Sequence, residues 1–199
     1  LIDKFYPEPY FYKGLAYARF GDTVNAVSSF ITATEQYSDY YDPYIELGLI
    51  YSKHEGVDRE RALKYFDNAL EIEPNSVEAL LAKGIYLQNN AAPDLADSCY
   101  RRIIELDPTF EVAYYNMGYC HLMAYENEGT KEYNDSVLIL AIEDFTSAID
   151  INPEYIDAYF NRGVAYEFLG EKLTAKTDYA TASKLDPGWQ EAKRAMEAL

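Results

Sequence analysis

The stretch from Tyr159 to Tyr179, "YFNRGVAYEFLGEKLTAKTDY", holds the pattern that decides the fold. Its apolar residues recur at helical spacing on both sides of Gly170-Glu171, a pair that favours a turn. Within it Gly163 comes first, Ala175 follows twelve positions later, and Tyr179 stands four positions after the alanine. The stretch therefore predicts two amphipathic helices joined by a short turn.

The same pattern occurs five times along the chain. Its glycines are Gly14, Gly48, Gly84, Gly118 and Gly163. The alanines that open the second helices are Ala26, Ala62, Ala96, Ala141 and Ala175, and the aromatic residues four positions later are Phe30, Phe66, Tyr100, Phe145 and Tyr179. Four units end on a proline, which cannot continue a helix, and the first has a serine: Pro74, Pro108, Pro153, Pro187 and Ser38.

Two distances divide each unit into a constant half and a variable half. From each alanine to the next glycine the distance is always 22 residues, whereas from glycine to alanine it is 12, 14, 12, 23 and 12. A helix-interior glycine costs about 1 kcal/mol relative to alanine, so five glycines at one phase need a packing reason. We expect a neighbouring helix to approach closely there, with the aromatic residue filling the space between the two helices.

Units of this length with Tyr, Gly, Ala, an aromatic residue and Pro at these phases resemble tetratricopeptide (TPR) repeats. The resemblance covers residues 7–189 and implies an all-α, right-handed α-solenoid of stacked helix-turn-helix repeats. The repeats it implies are 7–40, 41–76, 77–110, 111–155 and 156–189. Residues 1–6 match the end of a preceding repeat, which predicts further repeats upstream, and residues 190–199 predict a capping helix.

The fourth unit carries an 11-residue insertion, predicted in its turn, within "MAYENEGTKEYNDSV" from Met123 to Val137. Asn134 to Ser136 offer N-caps for an early start of the second helix, and Gly129-Thr130 favours a break. The segment is either a tolerated lengthening of the helix pair or an edge that touches a partner through Tyr125 and Tyr133. Its acidic residues do not follow a calcium-loop pattern.

Composition restricts the partners. The 199-residue chain has a net charge of −17, which repels nucleic acid backbones and anionic lipid heads, so we predict no nucleic acid partner. The longest aliphatic run, residues 137–142, is too short to span a bilayer, which predicts no membrane insertion. Tyrosine is abundant, with 21 residues, and suits half-exposed grooves as well as cores.

No constellation of residues indicates catalysis, and we predict neither an enzyme nor a cofactor. Cys99 and Cys120 fall in apolar helical patterns and are expected to be buried free thiols. His121 is expected at the edge of the core, and His54 in solvent. A metal or thiol site formed by His121 with the two cysteines is the alternative, but the spacing fits no known zinc pattern.

The resemblance implies a binding groove on the concave side, lined by the first helices. The residues flanking the glycines at helical spacing are Phe11, Tyr12, Leu15, Ile45, Glu46, Leu49, Leu81, Ala82, Ile85, Tyr115, Asn116, Tyr119, Phe160, Asn161 and Val164. Some TPR domains hold acidic peptide tails with a Lys/Asn/Lys/Arg clamp at such positions. This chain departs from that clamp, because its corresponding residues are Phe11, Leu15, Glu46, Glu78 and Ala82.

An apolar, tyrosine-rich groove in an acidic body predicts a protein or peptide partner with apolar anchors and some basic character. Two other readings remain open. The stack could be a structural spacer or assembly subunit that binds through its edges, or a glycan-binding scaffold. Sugar stacking favours tryptophan, and the chain has a single one, Trp189.

Overall fold

The computed structural model describes residues 6–53, 59–128 and 131–199, with the side chains of residues 59, 126–128 and 131–134 excluded. Every regular element in these ranges is an α-helix, which confirms the all-α class. The helices are α1 (Glu8–Arg19), α2 (Thr23–Gln36), α3 (Asp42–Ser52), α4 (Arg59–Ile72), α5 (Val77–Asn89), α6 (Pro93–Leu106), α7 (Glu111–Glu128), α8 (Lys131–Ile151), α9 (Ile156–Phe168), α10 (Lys172–Leu185) and α11 (Gln190–Ala198).

The chain divides into two compact units, residues 1–86 and 87–199. In the first unit, α1 packs on α2, α2 on α3, and α3 on α4. In the second, α6 packs on α7, α7 on α8, α8 on α9, and so on to α11. Because each helix packs mainly on its neighbours in sequence, helix pairs follow one another as repeat proteins require.

The packing predicted for the glycines is confirmed at four of them. A Cβ atom placed on Gly14 would lie 2.5 Å from a ring carbon of Phe30, and one placed on Gly48 would lie 2.5 Å from Phe66. The corresponding distances are 2.7 Å from Gly163 to Tyr179 and 3.0 Å from Gly118 to Phe145. All four aromatic residues are almost completely buried: Phe30, Phe66, Phe145 and Tyr179. The missing side chain therefore makes the space that the aromatic ring fills.

Three of the turns between paired helices share one backbone conformation. Gly21 and Gly170 have φ angles of 77° and 84°, as the predicted turns require, and Ala91 occupies the same phase with a φ of 58°. In each case the N–H of the next residue donates to a carbonyl five positions back, as from Ala92 to Leu87 at 3.0 Å. Ala91 therefore holds a left-handed conformation that an L-residue with a Cβ adopts at a cost.

The insertion in the fourth helix pair lengthens the helices themselves. α7 has 18 residues and α8 has 21, whereas α9 and α10 have 13 and 14. The predicted N-caps at Asn134, Asp135 and Ser136 are wrong, because α8 begins earlier, at Lys131, and these residues lie inside it. Adding a turn to an existing helix is more favourable than starting the helix at these residues, whose preference for the N-cap position is weak. The next turn buries Val137 and Leu138. The predicted break at Gly129-Thr130 lies outside the described residues.

The C-terminal helix, α11, packs against α10. α11 buries Ala192 against the chain and exposes Glu191, Arg194 and Glu197, and its role as a cap stays a prediction, as do the repeat boundaries. Residues 1–5 of the predicted N-terminal tail lie outside the described residues. No helix within the described part of the chain combines the length and the apolar content needed to cross a bilayer.

Candidate partner-binding surface

In the first unit, the predicted groove residues form a half-exposed surface on the first helices α1, α3 and α5. We call this surface the unit 1 face; its members are Phe11, Tyr12, Leu15, Glu46, Leu49, Leu81, Ala82 and Ile85. Tyr12 is its most exposed aromatic residue, at 65%. The ring of Phe11 lies 5.6 Å from that of Tyr12 and 5.3 Å from that of Tyr40, centre to centre. Tyr12 and the half-buried Phe11 therefore form a partly exposed aromatic group on the face, with the half-buried Tyr40 beside Phe11.

Two residues predicted to line the groove are buried instead. Ile45 is 2% exposed and packs in the core of unit 1 with Ala69 and Ala79, two small side chains that leave room for it. Asn116 is 7% exposed, and it lies on α7, which packs on α6, α8 and α9. Neighbours on three sides cover more of this helix than a two-sided contact would. Ile45 and Asn116 are therefore not part of the exposed surface.

The unit 1 face is electrostatically negative. The pKa of Glu46 is raised, first because burial removes solvent from its carboxylate, then by the charges of Glu78 and Asp42, with Lys53 opposing. Burial also raises the pKa of Asp42. No lysine or arginine lies within 4.0 Å of the Glu46 carboxylate among the described residues. The Glu46 carboxylate is therefore partly desolvated and has no cationic partner among these residues.

Burial and the same carboxylates raise the pKa values of the neighbouring tyrosines. Burial, followed by the charge of Asp42 and contributions from Tyr12 and Glu8, raises the pKa of Tyr40 to about 12. The pKa of Tyr41 is raised by burial and then by Asp42 and Glu78. These hydroxyls stay protonated at neutral pH, so the face combines hydrogen-bond donors, rings and carboxylates.

In the second unit, several predicted groove residues contact other side chains of the same unit. The Tyr115 ring lies 4.8 Å from that of Tyr155 and 5.8 Å from that of Phe145. Its hydroxyl accepts a hydrogen bond of 3.0 Å from the Asn161 amide, and burial raises its pKa to about 12. Tyr119 is near Tyr115, with ring centres 6.5 Å apart. Tyr115 and Asn161 therefore brace α7 against α9.

Phe160 on α9 is also held by other rings. Its centre lies 5.3 Å from Tyr179 and 4.7 Å from Trp189. One side of the Trp189 ring is consequently covered by the chain itself. The predicted groove residues of unit 2 that are half-buried, rather than buried like Asn116, are Tyr115, Tyr119, Phe160, Asn161 and Val164, and we call them the unit 2 face.

The predicted edge contacts have different outcomes. The ring of Tyr125 lies 4.9 Å from that of Phe168 on α9, so it contacts the chain's own next helix. Tyr125 is half-buried there and belongs to the hydrophobic cluster of unit 2. The side chain of Tyr133 lies outside the described residues.

The cysteines and the histidine do not form a joint site. Cys99 and Cys120 are buried thiols that form no disulfide, as predicted. The Cys120 thiol donates to the Gln88 side-chain carbonyl at 3.5 Å, and burial raises its pKa to about 12, which makes it unreactive. His121 is half-buried and pairs through Nδ1 with the Asp144 carboxylate at 2.8 Å. His54 lies outside the described residues.

The described residues contain no group of side chains that could hold a metal ion. Nowhere in that part do three His, Cys, Asp or Glu side chains converge as a metal-binding group would need. The pairing of His121 with Asp144 could not be found by spacing, because 23 positions separate the two residues.

The described helices pack as consecutive pairs around glycine–aromatic contacts, and this defines a helical-repeat protein. Comparisons with known proteins identify the kind of repeat. Residues 140–170 match a family model described as TPR repeat, and residues 156–188 match one described as tetratricopeptide repeat. Residues 140–188 therefore contain tetratricopeptide repeats, the kind of repeat that the spacing of the glycines, alanines and prolines predicts.

Curated relatives are much longer than this chain. Tetratricopeptide repeat protein 6 of Homo sapiens is 27% identical over 175 residues, which are 87% of this chain and 31% of that protein. A UDP-N-acetylglucosamine–peptide N-acetylglucosaminyltransferase of Giardia intestinalis is 27% identical over 72% of this chain and 9% of its own length. Anaphase-promoting complex subunit 3 of Schizosaccharomyces pombe is 31% identical over 59% of the chain and 16% of its own length. The chain thus spans a third or less of each.

Solved structures share the fold. A MamA protein superimposes with a TM-score of 0.76 at 21% identity, covering 91% of this chain and 92% of that one. YrrB, described as a TPR protein with an unusual peptide-binding site, gives a TM-score of 0.75 at 22% identity over 98% of this chain and 94% of its own. At these identities the likeness shows the fold alone.

Proposed function

We propose that this chain is a non-catalytic interaction module that binds a protein or peptide partner on its first helices, chiefly on the unit 1 face. The partner segment carries apolar anchors next to lysine or arginine. One observation carries this proposal: Glu46 is a partly desolvated carboxylate with a raised pKa on the same face as the exposed Tyr12 ring, and no cation of the described chain pairs with it.

Physical chemistry favours this class of ligand. The net charge of −17 draws cationic segments towards the surface and speeds their encounter. Once docked, a lysine near Glu46 would restore to the carboxylate the electrostatic stabilisation that it lost when burial removed its water. Apolar side chains of the partner would cover Tyr12 and Ile85, and burying one large apolar side chain contributes about 1.5–3 kcal/mol.

The comparisons support the class of function. YrrB, which has a similar fold, is described as having a peptide-binding site. The relatives named as glycosyltransferases extend far beyond the segment that matches this chain, which covers 9% of the one from Giardia. We therefore place catalysis outside the proposed role of this chain.

A second candidate, an assembly subunit that binds through its edge, is favoured by one observation. Phe20 and Val24 are 88% and 80% exposed, and both flank the turn between α1 and α2. Exposed apolar side chains this close together mark contact surfaces. The glycan-binding alternative gains no such support, because the ring of Phe160 covers one side of Trp189.

Fluorescence anisotropy with two labelled peptides tests the main proposal. One peptide alternates leucine with lysine, and the other has glutamate in place of lysine. We expect only the lysine peptide to bind, and Tyr12→Ala to weaken it about tenfold, as loss of a central aromatic contact does. Tyr37→Ala removes an exposed tyrosine that lies off the face and should leave affinity unchanged.

Charge on the face is tested separately. Glu46→Gln should weaken binding of the lysine peptide, whereas Glu143→Gln, which removes an exposed carboxylate of α8, should not. Equal affinity for both peptides would refute the proposal. So would an equal loss in the two tyrosine variants, since that would indicate non-specific attraction to an acidic protein.

A further inference from the structure

A cavity of about 420 Å³ lies in unit 1 where α2 and α4 meet the end of α3. Its lining differs in character from the unit 1 face, which lies on α1, α3 and α5. The lining residues are Ile31, Tyr51, Arg61, Lys64, Tyr65 and Asn68. This volume is in the range that small ligands and single anchoring side chains occupy.

The described lining of the cavity carries basic side chains, although the chain as a whole is strongly acidic. Acidic residues outnumber basic residues by 34 to 17 in the sequence, yet the described lining holds two basic side chains and no carboxylate. Lys64 forms no ion pair within 4.0 Å among the described residues. Lys64 is exposed at the cavity, so its ammonium group is available to a ligand.

The aromatic part of the lining is a stacked pair of tyrosine rings. The rings of Tyr51 and Tyr65 stack with their centres 5.4 Å apart and their planes 13° from parallel. The Arg61 guanidinium lies 5.7 Å from the centre of the Tyr51 ring, which holds that cation beside the cavity. Burial raises the pKa of Tyr65, with Tyr51 contributing and Arg61 opposing, so its hydroxyl remains a donor at neutral pH.

We infer that this cavity binds the carboxylate of an acidic side chain on a partner protein, an aspartate or glutamate flanked by an apolar residue. Lys64 faces the carboxylate, the Asn68 amide supplies a further donor, and Ile31 with the tyrosine rings packs on the apolar neighbour. A charge-assisted hydrogen bond from lysine to carboxylate is stronger than a neutral one.

The overall negative charge does not forbid this ligand. At physiological ionic strength, charges separated by more than about 8 Å are largely screened, so the nearest side chains dominate inside the cavity. Free phosphate is disfavoured because it has no apolar part to contact Ile31 and the rings. The site therefore selects one carboxylate together with an apolar group.

This site is independent of the proposed function, because it shares no residue with the unit 1 face and selects the opposite charge. NMR titration of the chain with N-acetyl-Leu-Glu-Leu-amide tests it, with N-acetyl-Leu-Gln-Leu-amide and inorganic phosphate as separate arms. We expect the glutamate peptide alone to shift the Ile31 methyl and the Tyr51 and Tyr65 ring resonances, with a Kd on the order of 1 mM.

Variants of the exposed lysine sharpen the test without threatening the fold. Lys64→Gln should lower the affinity for the glutamate peptide about tenfold, which is the usual contribution of a hydrogen bond to a charged group. Lys64→Arg should restore binding. Lys176→Gln removes an equally exposed charge on α10 and should change nothing. Equal shifts from the glutamine peptide, binding of phosphate instead, no shifts at all, or unaltered affinity in Lys64→Gln would each overturn the inference.

Discussion

The Arg162 guanidinium on α9 and the Asp178 carboxylate on α10 form two parallel hydrogen bonds, each 2.8 Å long. Both side chains are largely buried, at 17% and 6% exposure. The remaining guanidinium nitrogen donates to the Thr146 hydroxyl on α8 at 3.0 Å. A single side chain thus ties three consecutive helices of unit 2 together.

Removing one partner of this pair should be costly. We expect Arg162→Met to lower the free energy of unfolding by about 3–5 kcal/mol, because it leaves the Asp178 carboxylate buried without its partner. The double variant Arg162→Met with Asp178→Leu should recover most of that loss. Urea unfolding followed by circular dichroism measures both.

Arg102→Met provides the comparison for that measurement. Arg102 pairs with Glu105 on the surface, with 46% and 63% exposure, and a surface pair contributes about 0–1 kcal/mol. If the loss in Arg162→Met is no larger than in Arg102→Met, the buried pair has no special role in stability.

The glycine–aromatic contact predicts the effect of adding a methyl group. Gly14→Ala gains about 1 kcal/mol in helix propensity, yet its Cβ would lie 2.5 Å from the Phe30 ring. Overpacking of this kind costs about 1–3 kcal/mol, so we expect a net destabilisation or none. Adding Phe30→Leu to Gly14→Ala should restore some stability relative to Phe30→Leu alone. A clear gain of stability in the single variant would contradict the packing role.

Ala91 should be improved by glycine. Its φ of 58° costs an L-residue about 1–2 kcal/mol, and part of this is offset by the larger entropy of glycine in the unfolded chain. We expect Ala91→Gly to stabilise by about 0.5–1 kcal/mol and Gly170→Ala, at the same phase, to destabilise. The urea midpoints of the two variants should move in opposite directions, and a shift in the same direction would exclude the explanation.

Glu46 links stability to pH. Its folded-state pKa is raised, so the native state holds this proton more tightly than the unfolded state does. The penalty is absent at low pH and develops as the pH rises above the ordinary value of 4.5. Glu46→Gln should therefore be more stable than the wild type at pH 7 and differ less at pH 4, while binding the lysine peptide more weakly. Unfolding curves at the two pH values check this, and a difference that is larger at pH 4 would be the wrong sign.

The thiols should be silent in the native protein. Cys99 and Cys120 are buried, and the Cys120 pKa of about 12 keeps it protonated at pH 8. We expect Ellman's reagent to react with neither in the folded chain and with both after unfolding in urea. Rapid reaction of Cys120 under native conditions would show that it is exposed.

Local rules were sufficient for much of the fold. The periodicity of apolar residues predicts the helices, and the repeated spacing of glycine to aromatic residue predicts the contact between Gly14 and Phe30. The turns at Gly21 and Gly170 follow because only a residue without a Cβ adopts a positive φ at no cost. These features depend on sterics within a single helix pair, and every pair repeats the same problem.

The candidate site was harder to predict, because exposure depends on neighbours that are distant in sequence. Ile45 has the same phase as Phe11, yet Ile45 is buried between Ala69 and Ala79 while Phe11 remains half-exposed. Tyr125 looked free in the sequence, but Phe168 stands beside it. No spacing rule relates these pairs, since each depends on how two helix pairs pack.

By itself, the sequence determined that this chain is a series of helix pairs, where the turns lie, which small residues admit which rings, and that its surface is acidic. The tertiary structure alone decided that Arg162 binds Asp178. It also decided that, among the described residues, Glu46 is partly desolvated without a cationic partner and Lys64 borders a cavity whose lining holds no carboxylate. Helix formation and charge are properties of the chain within a few residues, whereas burial and pairing are set by side chains that only packing brings together.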